Sequence, residues 1–171
     1  MLKSWAPDLR FTVEDTLHRV RGTKKKKEPP MPLSDTIKRL IATAWDDGHP
    51  LLVATAGPDG PNLGPKGSLI VYDDGHLAYW ERTKGALLDN LKREPRVCVM
   101  YANFPAQRAG KMESGYLRFY GTVELHESGP VREAIFKKLV KREQEHAGAD
   151  KGIGVLIKIT KAADIRGKSI M

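Results

Sequence analysis

The chain has few of the features that membrane, secreted and metal-binding proteins share. Its 171 residues contain one cysteine, Cys98, so an internal disulfide is excluded and a reducing cytoplasm is expected. No apolar run approaches the roughly 20 residues that span a bilayer, and the first residues lack the apolar core of a signal peptide. The five histidines stand at no metal-ligand spacing from other ligand residues. We therefore expect no membrane span and no metal site.

Signatures of several enzyme classes are also missing. The glycine-rich run over residues 57–68 superficially suggests a phosphate loop, but Pro65 interrupts it and a strand follows where a helix is needed. No GxGxxG stands between a strand and a helix, which excludes a Rossmann dinucleotide site. No GxSxG nucleophile elbow is present either. A protein without such a constellation can delegate its chemistry to a cofactor.

Positive charge is concentrated near the N-terminus. Residues 1–30 hold 8 Lys/Arg and 4 Asp/Glu, a net +4, and the other 141 residues hold 21 and 17, which completes the total of +8. The run Lys24–Lys27 ends at two prolines, so we predict a basic extension over 1–30 and one domain over 31–171. Lysine clusters can contact phosphate, but no reader motif accompanies this one, and nucleic acid is not an expected partner.

Hydrophobic periodicity predicts a mainly β (α+β) domain with six strands and three helices. Turn sequences at 57–60 and 73–75 join neighbouring strands, which favours antiparallel pairing, and six such strands can close into a small barrel. The predicted helices cover residues 34–45, 83–92 and 130–143. The predicted strands cover residues 51–55, 62–72, 76–80, 96–101, 116–126 and 153–159.

Three segments carry a resemblance to a known family. The first is VATAGPDGPN at 53–62 with PKGS at 65–68; the second is LAYWERTKG at 77–85 with NL at 90–91 and EPRV at 94–97. The third is YLRFYGTVEL at 116–125. In this order they resemble the FMN-binding split-barrel family related to pyridoxamine 5'-phosphate oxidase, over about residues 33–165. The resemblance implies a six-stranded antiparallel split β-barrel with three flanking helices, and a homodimer with each flavin at the subunit interface.

The same resemblance implies a cofactor site in two neighbouring segments. Arg82, Thr83 and Lys84 lie where a strand meets a helix, and a helix N-terminus offers free N–H groups to phosphate. In the family the segment matching residues 66–68 lines the isoalloxazine and ribityl groups, and one of Tyr79 and Trp80 is expected to face the ring or the partner. The candidate cofactor-binding residues are Pro65, Lys66, Gly67, Ser68, Trp80, Glu81, Arg82, Thr83, Lys84, Asn90 and Arg118.

The sequence departs from the family pattern at the phosphate end. Many relatives place a serine and a lysine where this chain has Gly85 and Leu87, so phosphate binding would depend on residues 82–84. The alternative is that Thr83 only caps the helix and that residues 65–67 form a strand kink. Residues that hold the substrate phosphate in the oxidases cannot be placed on the C-terminal part, which argues against that particular reaction. Catalytic residues are not assigned.

Several functions therefore stay open. The leading hypothesis is an FMN-dependent oxidoreductase acting on an unidentified small molecule, with NAD(P)H as a candidate electron donor. Arg118 and the loop with Arg108 and Lys111 could contact the partner or an anionic substrate, or could be solvated. The alternatives are a non-catalytic FMN or electron-carrier protein, and the same fold with F420 or haem as its ligand.

Overall fold

The computed structural model describes residues 32–171, and the predicted basic extension over 1–30 lies outside the described residues. Among them no helix is long and apolar enough to cross a membrane. The helices are α1 (Asp35–Thr43), α2 (Ala86–Arg93), α3 (Phe104–Arg108), α4 (Pro130–Lys138) and α5 (Lys141–Gln144). The strands are β1 (Leu51–Gly57), β2 (Gly60–Lys66), β3 (Ile70–Asp73), β4 (His76–Glu81), β5 (Arg96–Ala102), β6 (Tyr116–His126) and β7 (Ile153–Asp164).

One antiparallel sheet contains the seven strands of the described residues, in the order β2-β1-β5-β6-β7-β4-β3. The predicted strand over 62–72 is two strands, because the chain turns at residues 67–69 and sends β2 and β3 to opposite edges. A backbone hydrogen bond from Leu69 to the Lys66 carbonyl closes that turn. Within the described residues β2 and β3 are therefore the two edge strands and do not pair with each other, so the sheet is open between them, as in a split barrel.

Two predicted helices have different bounds in the structure. The helix predicted from 83 begins at Ala86, since Thr83 donates its N–H to Glu81 and Lys84 has a φ of 49°, which a right-handed helix cannot include. The helix predicted over 130–143 is divided into α4 and α5, because Leu139 and Val140 are extended. The short helix α3, capped by Asn103, lies in a segment predicted as loop.

The strands place one set of side chains inside the barrel and the other outside. On β4, Leu77, Tyr79 and Glu81 alternate with Ala78 and Trp80, which pack in a separate cluster against α4. Apolar burial stabilises the fold by about 25 cal/mol per Å². The side chains with no exposed surface in the interior are Val53, Leu77, Tyr79, Val99, Tyr101, Phe119, Val155 and Ile157.

Strand β6 spans the sheet between β5 and β7 and bends at Gly121. The β6–β7 register shifts between Tyr120 and Gly121. A Cβ atom at Gly121 would collide with the carbonyl oxygen of Lys158, so a side chain there would separate the two strands. Strand β7 also pairs with β4, and pairing of β4 with β3 brings the end of β4 next to the corner between β2 and β3.

Candidate functional site

The corner between β2 and β3 meets the end of β4 through a buried ion pair. Lys66 Nζ contacts Glu81 Oε2, with 15% of the lysine side chain and 2% of the glutamate side chain exposed. The same ammonium group lies 5.0 Å from the centroid of the Tyr79 ring. A buried charge is tolerated when it is paired and hydrogen-bonded. Lys66 and Glu81, both predicted site residues, are therefore brought together.

Glu81 also connects this corner to the loop before α2. Its Oε1 accepts a hydrogen bond from the N–H of Thr83 at 3.0 Å. One carboxylate thus links the segment predicted for the flavin ring to the segment predicted for its phosphate. The negative charge of Glu81 offsets the positive charge of Lys66, so the corner presents a neutral pair to a ligand.

Ser68 has a structural partner within the chain. Its hydroxyl donates to the Trp80 carbonyl at 3.1 Å and accepts from the Trp80 N–H at 3.0 Å. These two bonds join the start of β3 to β4. Pro65, also a predicted site residue, is exposed on β2 opposite Leu52.

The structure decides how Tyr79 and Trp80 are oriented. Tyr79 is in the barrel interior, where burial and then the charge of Glu81 raise the pKa of its phenol. Trp80 lies under α4: its Nε1–H donates to the Ala149 carbonyl at 2.7 Å, and its ring centroid is 5.1 Å from that of Phe136. Trp80 is therefore held by contacts within this chain, and a direct contact with a cofactor stays a prediction.

Trp45, the last residue of the helix predicted over 34–45, is a neighbour of the corner that is absent from the predicted site residues. A Cβ atom at Gly67 would lie 2.8 Å from Trp45 Cε3, so the indole packs directly on the glycine backbone. The guanidinium of Arg142 lies 5.4 Å from the Trp45 ring centroid. Trp45 is 45% exposed. The surface predicted to contact the flavin ring is thus already in contact with an aromatic side chain.

The loop between β4 and α2 contains the three predicted phosphate ligands. Arg82 Nη1 is 2.9 Å from Glu143 Oε2, an ion pair without hydrogen-bond geometry. The side chains of Thr83 and Lys84 are exposed. Gly85, the N-cap of α2, offers no side-chain cap to the first amides of the helix. Within residues 32–171, the helix N-terminus and Lys84 are therefore available to an anion, whereas Arg82 is engaged.

Asn90 links α2 to β1 through a hydrogen bond. Its Nδ2 donates to Thr55 Oγ1 at 3.1 Å, and its Oδ1 accepts from Arg93 Nη2 at 2.8 Å. A cavity of about 270 Å³ lies beside it, between the β1–β2 hairpin and Ala86 at the start of α2. Asn90 therefore lines a space near the helix N-terminus while both ends of its amide hold partners within the chain.

Arg118 lies away from the corner, on the outer face of β6 opposite Met100 and Ala163. Its Nη2 is 3.5 Å from the Asp164 carbonyl, and its buried Nε has no hydrogen-bond partner among residues 32–171. Burial raises the pKa of the nearby Cys98 thiol, while the charge of Arg118 opposes that shift. The structure does not bring Arg118 together with the other predicted site residues within one chain.

No group of three or more potential metal ligands exists in the described part of the chain. Of its histidines, His76 contacts Asp73 at 2.7 Å, and His126 Nε2 lies 3.6 Å from Glu124. The chemistry present is therefore a buried ion pair, an uncapped helix N-terminus and an aromatic surface. These groups can hold an anionic, planar ligand.

Comparisons with known proteins identify the fold and the family. The family model of pyridoxamine 5'-phosphate oxidase matches residues 37–163. A Lactobacillus delbrueckii structure named as a candidate pyridoxamine 5'-phosphate oxidase is 26% identical, with 77% of this chain and 93% of that chain covered and a TM-score of 0.56. The predicted mainly β, antiparallel split-barrel class is confirmed.

Two further structures show how widely this fold is used. HupZ of Group A Streptococcus is 24% identical, with 80% of this chain and 97% of that chain covered and a TM-score of 0.60. An F420 reductase is 19% identical, with 74% and 94% covered and a TM-score of 0.53. At these identities the likeness concerns the fold alone. Among curated proteins, no sequence matches the chain.

Proposed function

The chain belongs to the pyridoxamine 5'-phosphate oxidase family, and we propose that it is an FMN-binding flavoprotein acting as an oxidoreductase on a small molecule. The observation that supports this best is the position of Glu81, whose carboxylate joins Lys66 to the loop before α2. The two segments that the resemblance assigns to one cofactor are therefore connected by direct contacts.

The junction of β4 and α2 fits the phosphate end of FMN. The backbone N–H groups of Leu88 and Asp89 bond to the Gly85 carbonyl, which leaves the amides before them without partners in the helix. Helix N-termini favour anions through these amides and the helix dipole. Lys84 and Thr83 would complete the site, while Arg82 would contribute only if it left Glu143.

The corner at Lys66 and Gly67 fits the flat end of the cofactor. The ammonium of Lys66 would lie at the polar edge of the ring, and the backbone of Gly67 allows a planar group to approach closely. Trp45 would then either stack on that group or move aside. A bound FMN would supply hydride or electron transfer at N5, and these residues would supply position and electrostatics.

We propose a homodimer as the working state, formed by the outer face of β5 and β6. Cys98, Met100 and Tyr120 share this face and are half-buried. The principal packing of the described helices is against β1 to β4 and β7. Arg118 lies on the same face and would reach the partner's site. A reducing cytoplasm is the proposed compartment, in keeping with a single cysteine.

The test is a visible spectrum of the purified chain and a titration with FMN, followed by anaerobic addition of NADH or NADPH. We expect flavin uptake and bleaching by one of the two donors. Flavin binding without reduction would favour the electron carrier. A second candidate, F420 binding, is suggested by the fold shared with an F420 reductase, and uptake of F420 or haem without FMN would favour those ligands.

A pair of lysine variants tests the phosphate assignment. We expect Lys84→Ala to weaken FMN binding about tenfold, because a charge-assisted contact contributes roughly 1.5 kcal/mol or more. Lys92→Ala, at the other end of α2, should leave the dissociation constant unchanged. No FMN uptake at high micromolar concentration would contradict the proposed function, and equal effects of the two variants would contradict the phosphate site.

A further inference from the structure

A groove lies along β3, between α1 and the connection from α4 to α5. Its volume is about 430 Å³, which is within the range of small-molecule sites. The floor is apolar, made by Ala42, Ile70, Tyr72 and Val140. The side chain of Val140 is apolar, yet the residue is 40% exposed to solvent. The groove is therefore open to solvent and has apolar side chains on its floor, as small-molecule sites do.

The acidic groups of the groove are already paired. Asp74 Oδ1 accepts from Lys38 Nζ at 2.5 Å, and the contact raises the pKa of Lys38. Asp73 Oδ1 lies 2.7 Å from His76 Nδ1 and also accepts from the Gly75 N–H at 2.8 Å. These carboxylates and Lys38 therefore offer little net charge to a ligand.

Lys138 is the basic residue of the groove that stays available. Within residues 32–171 no carboxylate lies at ion-pair distance from it. Its Nζ lies 5.4 Å from the centroid of the Tyr72 ring. A cation beside an aromatic ring, above an apolar floor, is suited to a ligand with one anionic group on a flat apolar body.

The groove is adjacent to the candidate cofactor corner. A smaller cavity lined by Trp45, Lys66 and Gly67 shares three wall residues with it: Ala42, Ile70 and Val140. A molecule lying in the groove would therefore be close to the surface that the proposed flavin ring would contact.

We infer that this groove binds a small amphipathic anion, namely an aromatic or flat apolar carboxylate. Lys138 contacts the carboxylate, and Tyr72, Ile70 and Val140 contact the apolar body. A second anionic group on the ligand would find no further available cation in the groove, which disfavours polyanions. The use of this groove as a substrate site rests on the proposed flavin function, whereas binding itself does not.

The experiment titrates the full chain with 2-naphthoate and with its neutral analogue 2-naphthylmethanol, followed by calorimetry and NMR. We expect saturable binding of 2-naphthoate. Lys138→Gln should weaken it about fivefold, equivalent to about 1 kcal/mol for an exposed charge contact, and leave 2-naphthylmethanol unaffected. Lys137→Gln, an exposed neighbour outside the groove, should change neither ligand. Tyr72→Leu should weaken both.

Each outcome separates this inference from the proposed function. Absence of saturable 2-naphthoate binding, or equal losses in the Lys137 and Lys138 variants, would overturn it. Lys138→Gln should have the unfolding temperature of the wild type, so that its weaker binding is not due to misfolding. Lys138→Arg keeps the positive charge and should bind 2-naphthoate as the wild type does. FMN is titrated into the same samples: naphthoate binding without FMN uptake refutes only the flavin proposal, and FMN uptake without naphthoate binding refutes only the groove.

Discussion

At the scale of single residues, Glu94 and Arg96 form a local pair at the start of β5. Arg96 donates to the two carboxylate oxygens from Nε and Nη2, both at 2.8 Å, and its backbone N–H donates at 3.1 Å. The Arg96 side chain and then its backbone N–H hold the pKa of Glu94 at about 2, well below its ordinary value. The pair is a surface feature, so its effect is expected in titration more than in stability.

We predict that an NMR pH titration will give Glu94 a pKa of about 2. Because the folded pKa is depressed, its small stabilising effect is complete above the ordinary pKa of about 4.3 and is lost as the pH falls through the folded value. Arg96→Gln should return the pKa towards the ordinary value. Arg93→Gln, whose guanidinium binds Asn90, should not, and an unchanged pKa in the Arg96 variant would refute the assignment.

Individual side chains also show why a site is harder to predict than a fold. The sequence indicated Lys66, Ser68, Glu81 and Arg82 as ligand contacts, and each has an intramolecular partner. Glu143, the partner of Arg82, is more than fifty positions away in sequence, and the partners of Lys66 and Ser68 are 15 and 12 positions away, on β4. The sequence around a residue does not indicate which side chain it will contact in the folded protein.

At the scale of elements, the Lys66–Glu81 pair joins the end of β2 to the end of β4. We predict that Lys66→Met or Glu81→Leu alone lowers the free energy of unfolding by about 3–5 kcal/mol, because each leaves a buried charge unpaired. The double variant should lose much less than the sum, since two apolar side chains can replace the pair. Urea denaturation of the four proteins measures this coupling.

Additive losses in that cycle would mean that the two side chains do not act as a pair. The matched control is Lys38→Met with Asp74→Leu, because that ion pair is exposed and exposed pairs contribute at most about 1 kcal/mol. We expect the control cycle to show little coupling.

Elements with regular alternation were predicted well, and elements bounded by tertiary contacts were not. The predicted strand over 116–126 coincides with β6, because apolar and polar residues alternate along it. The start of α2 was placed too early, since Glu81 holds the Thr83 amide in a non-helical turn. The predicted strand over 62–72 is broken into β2 and β3 by the turn at residues 67–69, and the alternation of apolar and polar residues does not indicate that turn.

At the scale of the whole molecule, the proposed dimer makes a direct prediction. Met100→Lys places a charge at the centre of the outer face of β5 and β6, so we expect a dimeric wild type and a monomeric variant by light scattering. Burying an unpaired lysine costs several kcal/mol, which is enough to dissociate a moderate interface.

Glu133→Lys, exposed on α4, which packs against β3, β4 and β7 and away from β5, is the control and should stay dimeric. A monomeric wild type that still binds FMN would remove the interface from the proposed function. Loss of FMN binding together with dissociation in the Met100 variant would support a cofactor held between two chains.

The sequence by itself determined the mainly β antiparallel class, the family resemblance and most strand positions, because these depend on local alternation and turn chemistry. Only the tertiary structure decided which side chains meet. It oriented Tyr79 into the barrel and Trp80 under α4, paired Lys66 with Glu81, engaged Arg82 with Glu143 and placed Trp45 on Gly67. The reason is physical: a buried charge or ring is satisfied by whichever groups the folded sheet brings to it, and those groups lie on other strands and helices.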